Sequence, residues 1–272
     1  MRREASVSGQ NPNDPEYWDK AVANYEAQAQ PFTSYFADAA LAKLDIAPST
    51  RVLDIATGTG AVALAAARSG AEVLAIDFSS GMVERVLSHG VANIAARQMD
   101  GQALDLPDAS FDAVLSVFGV MLFPDWRAGL REMARVTRPG GSAAVAVWKD
   151  VDGAATHLLL SQVRKALYPE FVAPSPFPGL IELSDPHRLR AAMTAAGFSA
   201  PSVEEVTHDF QLKIAALDDA DRLFGMIPAW SALNTSEREA VLGEVRMRAE
   251  RDRMGDIFPI PSTALIATAR RL

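Results

Sequence analysis

The stretch RVLDIATGTGAVALAAAR, residues 51–68, constrains the fold more than any other part of this chain. A short apolar run fits a buried strand, TGTG supplies a tight turn, and the alanine-rich residues that follow favour helix. A strand that turns through glycine directly into a helix is half of a β-α-β unit, whose next strand lies parallel to the first. The pattern then repeats. Strands are expected near 72–77 (EVLAID), 93–98 (NIAARQ), 111–117 (FDAVLSV) and 141–148 (GSAAVAVW). Helices are expected near 61–69, 80–89 and 125–137, the last stopped by Arg138, Pro139, Gly140 and Gly141.

Around this alternation the rhythm differs. Residues 1–15 form a polar arm, with Asp14 or Pro15 starting a helix, and the apolar spacing from Glu16 to about Leu44 fits two helices interrupted by Pro31. After Trp148, helical segments at 156–167 and 185–196 flank PSPFPG (174–179), a proline-rich loop of the kind that covers a site. A strand at 203–212, a charged, solvent-facing helix at 235–253 and a final strand at 262–270 complete the order. There is no internal repeat.

Composition narrows the function. Hydrophobic residues make up 49% of 272, enough for a substantial core. Lys and Arg total 26 against 34 Asp and Glu, a net charge of −8 with no basic run, so nucleic acid is not expected as a partner. There is no cysteine, which excludes a thiolate nucleophile and Cys-ligated metal. MRREASVSGQNPNDPEYW lacks an apolar signal core, and no apolar run approaches the roughly 20 residues that cross a bilayer. A cytoplasmic protein without membrane insertion is expected.

In a parallel sheet the loops after the strands share one edge, and ligands bind there. Four features of this chain fall at such strand ends. Gly58 and Gly60, after Asp54 and Ala56, leave a ligand room to approach the backbone at a helix N-terminus. Read alone, Gly58 to Ala63 also fits a dinucleotide glycine pattern. Asp77 ends the second strand, where its carboxylate can accept from two ribose hydroxyls, with Phe78 placed to lie against a base. Asp100 and Gly101 form a turn after the third strand, and Ser116, Val117 and Phe118 follow the fourth. Each has an ordinary structural alternative: a tight turn, a helix cap for Asp77, an Asp-Gly turn, strand core.

The ordered set VLDIATGTG, AIDFS, RQMDGQALDLPDASFD and LREMARVTRPGG followed by AVAVW resembles the class I S-adenosylmethionine-dependent methyltransferases, in the small-molecule branch that includes quinone-biosynthesis C-methyltransferases. The likeness is strong over 50–150. It implies an α/β, Rossmann-like fold: a seven-stranded, mostly parallel sheet flanked by helices, with an antiparallel last strand beside the fifth and helical substrate-covering additions. It implies S-adenosyl-L-methionine as cofactor, held at Asp54, Ala56, Gly58, Gly60, Asp77, Phe78, Met82, Asp100, Gly101 and Ser116. Ala56 stands where many relatives carry glycine.

On this reading the chain is one methyltransferase domain. Residues 1–45 are a helical cap, 46–150 the cofactor core, 151–200 and 213–258 covering segments, and 201–212 and 259–272 the last strands. The reaction is displacement at an activated methyl group, so alignment and water exclusion dominate and a base is needed only for some acceptors. His157 is the candidate base, its ordinary alternative being a partly exposed helix residue. Tyr25, Phe118, Phe123, Trp126, Trp148, Phe177 and Trp230, with Trp18 and Met121, are expected to line the acceptor site, although each is equally an ordinary core residue. With the acidic net charge they point to a largely apolar small molecule methylated at O or C. Two alternatives remain open at this point: a protein of the same fold that binds the cofactor without transferring methyl, such as a cyclase, and an NAD(P)-dependent oxidoreductase.

Overall fold

The structure is a computed structural model that describes residues 11–171, 177–225 and 227–272. Residues 1–10 of the polar arm and 174–176 of the proline-rich loop lie outside the described residues. Seven strands form one sheet: β1 (Arg51–Ile55), β2 (Glu72–Asp77), β3 (Ile94–Gln98), β4 (Phe111–Val117), β5 (Thr137–Trp148), β6 (Ser202–Lys213) and β7 (Ile257–Arg270), in the order β3-β2-β1-β4-β5-β7-β6. β1 pairs parallel with β2 and β4, β2 with β3, and β4 with β5. β7 runs antiparallel to β5, from Ser142↔Arg270 to Trp148↔Ala264. The chain steps outward from β1 to β3 and returns at β4, so the strand order reverses between β1 and β4 and opens a crevice at their carboxyl ends.

The expected parallel strands and the antiparallel insertion are present, with shifted ends. Helix α5 (Trp126–Val136) stops before the glycine pair, and β5 begins at once. Thr137 makes that join: its hydroxyl donates to the Met133 carbonyl at 2.6 Å while its backbone pairs with Phe111. Gly140 and Gly141 therefore lie inside a strand, and a Cβ on Gly141 would come within 2.9 Å of the Asp112 carbonyl oxygen. β7 likewise starts five residues before the expected 262, because Pro259 and Pro261 sit within it.

The contacts divide the chain into two compact units. The first comprises 12–151, 177–206 and 264–272. Its N-terminal helices are α1 (Pro15–Gln28), capped by Asp14, and α2 (Gln30–Leu41), with Pro31 in its first turn. Helices α3 (Ala61–Arg68) and α4 (Ser80–Ser88) follow β1 and β2, and a single 3₁₀ turn (Val120–Leu122) follows β4. Short α7 (Pro178–Leu183) and α8 (Pro186–Ala196) complete it.

Among described residues the second unit is built from 11, 152–171, 207–225 and 227–263. It contains α6 (Ala155–Leu167), α9 (Ala220–Phe224), α10 (Pro228–Ser231) and α11 (Thr235–Asp252). Leu160, Val163, Phe224, Trp230, Val241 and Val245 form its core. The charged α11 buries Val241, Val245 and Ala249 at four-residue steps and leaves its other faces to solvent. No described helix is long and apolar enough to cross a membrane.

Candidate functional site

Loops at the carboxyl ends of β1 to β4, roofed by the start of α1, enclose a chamber of about 570 Å³. Among the described residues, its walls come from 12–124, within the first unit. Of the residues expected to hold a cofactor, Ala56, Gly58, Asp77, Phe78, Met82, Asp100 and Gly101 line it. Of the expected acceptor-site residues, Trp18, Tyr25, Phe118 and Phe123 do.

The β1 loop is shaped by backbone conformations that side chains resist. Ala56, Gly58 and Gly60 have φ of 57°, 55° and 98°. For Ala56, the only one with a Cβ, the left-handed region costs about 1 kcal/mol. Beneath the loop, Asp54 accepts from the Thr57 hydroxyl at 2.6 Å and the Ala63 amide at 3.1 Å, both on Oδ2. The same carboxylate thus fixes the turn and the first turn of α3. Burial pushes Asp54 up to about 7, against the lowering effect of these two bonds.

Asp77 lies across from the loop. Its Oδ2 accepts from the Gly58 amide at 2.9 Å and its Oδ1 from the Ser79 amide at 3.0 Å, so it ties β1's turn to the start of α4. Burial raises it to about 6, against those same amide bonds. The cap and the ligand-binding roles weighed for Asp77 are thus compatible. It braces two loops and still borders the chamber.

At the third strand end, Asp100 Oδ1 accepts from the Gln102 amide and side chain at 2.9 and 3.0 Å. Phe123 fills the space that two glycines leave. A Cβ on Gly101 or on Gly129 would come within 2.6 Å of its ring. On the α1 side, the Tyr25 ring lies 3.4 Å from where a Gly58 Cβ would be, and burial raises its phenol above the usual range. Phe118, with φ of 62°, stacks on Trp148 at 3.6 Å between ring centroids, and Trp148 stacks in turn on Phe32 at 5.8 Å.

Several expected site residues stand elsewhere. Asp54 supports the wall from behind. Gly60 caps α3 and packs towards Val86, 3.2 Å from where its Cβ would be. Ser116 lies within β4 and not after it, fully buried, donating to the Ile55 carbonyl at 3.1 Å and accepting from the Val120 amide at 3.0 Å. Trp148 backs Phe118 without bordering the chamber, and Trp126 is buried in α5 beneath the Arg127 guanidinium. Phe177 is buried just before α7. Trp230 belongs to the core of the second unit, where its indole donates to Asp221 at 2.8 Å. His157 also belongs to the second unit, on the first turn of α6. Its side chain is accessible at the surface yet hemmed in by protein, and desolvation lowers it to about 4.

Met99, Gln102 and Leu122 are among the lining residues that were not anticipated. Met99 and Gln102 flank the Asp100-Gly101 turn, which is the signal that points to them.

The donor set fits an adenosyl cofactor. A buried carboxylate suits vicinal hydroxyls, apolar Phe78 and Met82 suit a base, and a glycine floor at Gly58 admits close approach to the backbone.

Residues 52–141, about a third of the chain, match the family described as a methyltransferase domain. The chain is 48% identical over 104 residues to the demethylmenaquinone methyltransferase of Corynebacterium urealyticum, covering 38% of this chain and 44% of that protein. The chain thus aligns with less than half the length of this curated relative. Among solved structures it is similar to the YcgJ protein of Bacillus subtilis, with a TM-score of 0.55, 20% identity and coverage of 88% of this chain and 99% of that one. It is also similar to a chain of the complex between the Haloferax volcanii Trm112 methyltransferase activator and a putative methyltransferase, with a TM-score of 0.58, 19% identity and coverage of 93% and 97%. At these identities the structural likeness speaks for the fold.

Proposed function

We propose that this protein is an S-adenosyl-L-methionine-dependent methyltransferase acting at O or C of a small, largely apolar molecule. The observation that carries the reading is the buried Asp77 carboxylate, bonded to both the Gly58 and the Ser79 amides and still facing the chamber. The bound cofactor supplies an activated methyl group. The residues of this chain bind and align it. Asp77 accepts from the ribose hydroxyls, Phe78 and Met82 cover the base, and the Asp100-Gly101 turn meets its polar edge. Asp54 holds the β1 loop in its strained form. Phe118, fixed by its stack on Trp148, walls the reacting end and excludes water.

An apolar acceptor is supported by the aromatic character of that wall, and a quinone-type molecule by the likeness to demethylmenaquinone methyltransferases over 104 residues. Displacement at the activated methyl group needs a base only for acceptors that must lose a proton.

The test has two arms. Calorimetry with S-adenosylhomocysteine and with NAD(P) should show binding of the first alone. Transfer of an isotope-labelled methyl group to a panel of phenols and hydroquinones should then yield a methylated product. Binding without transfer to any acceptor would favour a cofactor-bound protein of other chemistry, and binding of NAD(P) alone would reverse the assignment.

A further inference from the structure

We propose that Asp19 is a positioning residue that latches helix α1 over the chamber and so sets how fast the cofactor and its demethylated product leave. The inference rests on the chamber holding that cofactor. Trp18 and Tyr25 of α1, with Pro12 and Asn13 just before it, form part of the wall. Displacement of this helix would remove part of that wall and widen the way out for a ligand.

What holds α1 down is concentrated at one point. The Asp19 carboxylate accepts from the Ser79 hydroxyl at 2.5 Å, the Gly81 amide at 2.9 Å and the Ser80 hydroxyl at 3.4 Å. These are the cap and first two residues of α4. A helix start leaves amide hydrogens without intrahelical partners and carries partial positive charge. Ser79 satisfies the Met82 amide from within α4, at 3.1 Å, while Asp19 satisfies the Gly81 amide from another helix. The helices meet closely enough that a Cβ on Gly81 would lie 3.1 Å from Val22 and 3.2 Å from the Asp19 Cα. At the far end of α1, Glu26 pairs with Arg85 of α4 at 2.5 Å, but both side chains are about one-third exposed, and such a pair contributes little.

Asp19 does not border the chamber, yet it reaches the ligand-facing carboxylate through one residue. Ser79 donates its hydroxyl to Asp19 and its amide to Asp77 at 3.0 Å. Opening α1 therefore removes a bond from the residue that orients Asp77.

The experiment compares wild type, Asp19→Ala and Asp19→Asn. Hydrogen exchange of residues 15–28 is measured without ligand, and release of S-adenosylhomocysteine is followed by tryptophan fluorescence. Loss of a capping carboxylate should speed both by roughly tenfold in Asp19→Ala. Exchange in β1 and β2 should stay unchanged. Asp19→Asn keeps an acceptor oxygen and should recover most of both effects. Unaltered release, or faster exchange spread evenly through β1 and β2, would overturn the latch. If the wild type ignores S-adenosylhomocysteine, the proposed function fails, and the exchange comparison still decides whether Asp19 holds α1.

Discussion

Gly119 and Ala56 are matched to one another: a Cβ on Gly119 would stand 2.4 Å from the Ala56 methyl group. Ala56 is held at a φ of 57°, so it carries both backbone strain and the methyl group that Gly119 must accommodate. Ala56→Gly should stabilise the protein by about 1 kcal/mol, since glycine adopts that conformation freely. Gly119→Ala should cost about 1–3 kcal/mol by overpacking, and less in the Ala56→Gly background. Rescue stays partial, because the Ser116 hydroxyl would still lie 2.8 Å from the new methyl group. Thermal or denaturant unfolding of the four proteins of the cycle measures the coupling, and strictly additive effects would contradict the pairing.

Asp54 gives stability a distinct pH dependence. Its folded value of about 7 lies above the roughly 3.9 of an unfolded aspartate. The folded state therefore holds the proton more tightly, and ionisation of Asp54 costs stability as pH rises from about 4 to 7. Asp54→Asn can keep both bonds, since the Thr57 hydroxyl and Ala63 amide share one oxygen. The variant's melting temperature relative to wild type should climb across that range and level off above it. A difference that stays flat from pH 4 to 8 would rule this out.

Asp77 links pH to ligand affinity. A carboxylate that accepts from hydroxyls must be ionised, and burial sets Asp77 at about 6. Affinity for S-adenosylhomocysteine should fall by up to about tenfold per pH unit below that value and be nearly constant above it. Asp77→Asn should flatten the profile and weaken binding by ten- to a hundredfold, the usual scale for a lost bond to a charged group. Calorimetry between pH 5 and 8 reads both effects.

Phe123 is seated between Gly101 and Gly129, so either glycine governs where its ring stands. Gly101→Ala also crowds Ile55, 2.8 Å away, which leaves the ring to swing into the chamber. The variant should lose about 1–3 kcal/mol of stability and bind S-adenosylhomocysteine at least tenfold more weakly. Gly101→Ala combined with Phe123→Leu should regain affinity. If the double variant binds no better than Gly101→Ala, the ring is not the obstacle.

Strands β1, β2 and β4 were legible as apolar runs, with Gly58 after β1 and Asp77 at the end of β2, whereas β3, IAARQ, is largely exposed and is marked mainly by the Asp100 turn that follows it. Ends were harder. Thr137 changes from helix to strand in one residue through a hydroxyl bond to Met133, which leaves no pattern in the chain, and Pro259 and Pro261 disguise the start of β7. Short helices such as Pro178–Leu183 and Pro228–Ser231 are less than two turns long and show no period. Within the site, the glycines and acids could be placed by their order. The aromatic residues could not, because Trp126, Trp148 and Trp230 are as apolar in a core as in a pocket. Asp19 gave no signal, since a mid-helix aspartate acquires its meaning only from the helix beside it.

Every described residue that walls the chamber comes from 12–124, and 52–141 is where the methyltransferase-domain family matches this chain. On the proposed function, the described hold on the nucleotide is written in consecutive sequence. Substitutions confined to α9, α10 and α11 are then expected to leave affinity for S-adenosylhomocysteine intact.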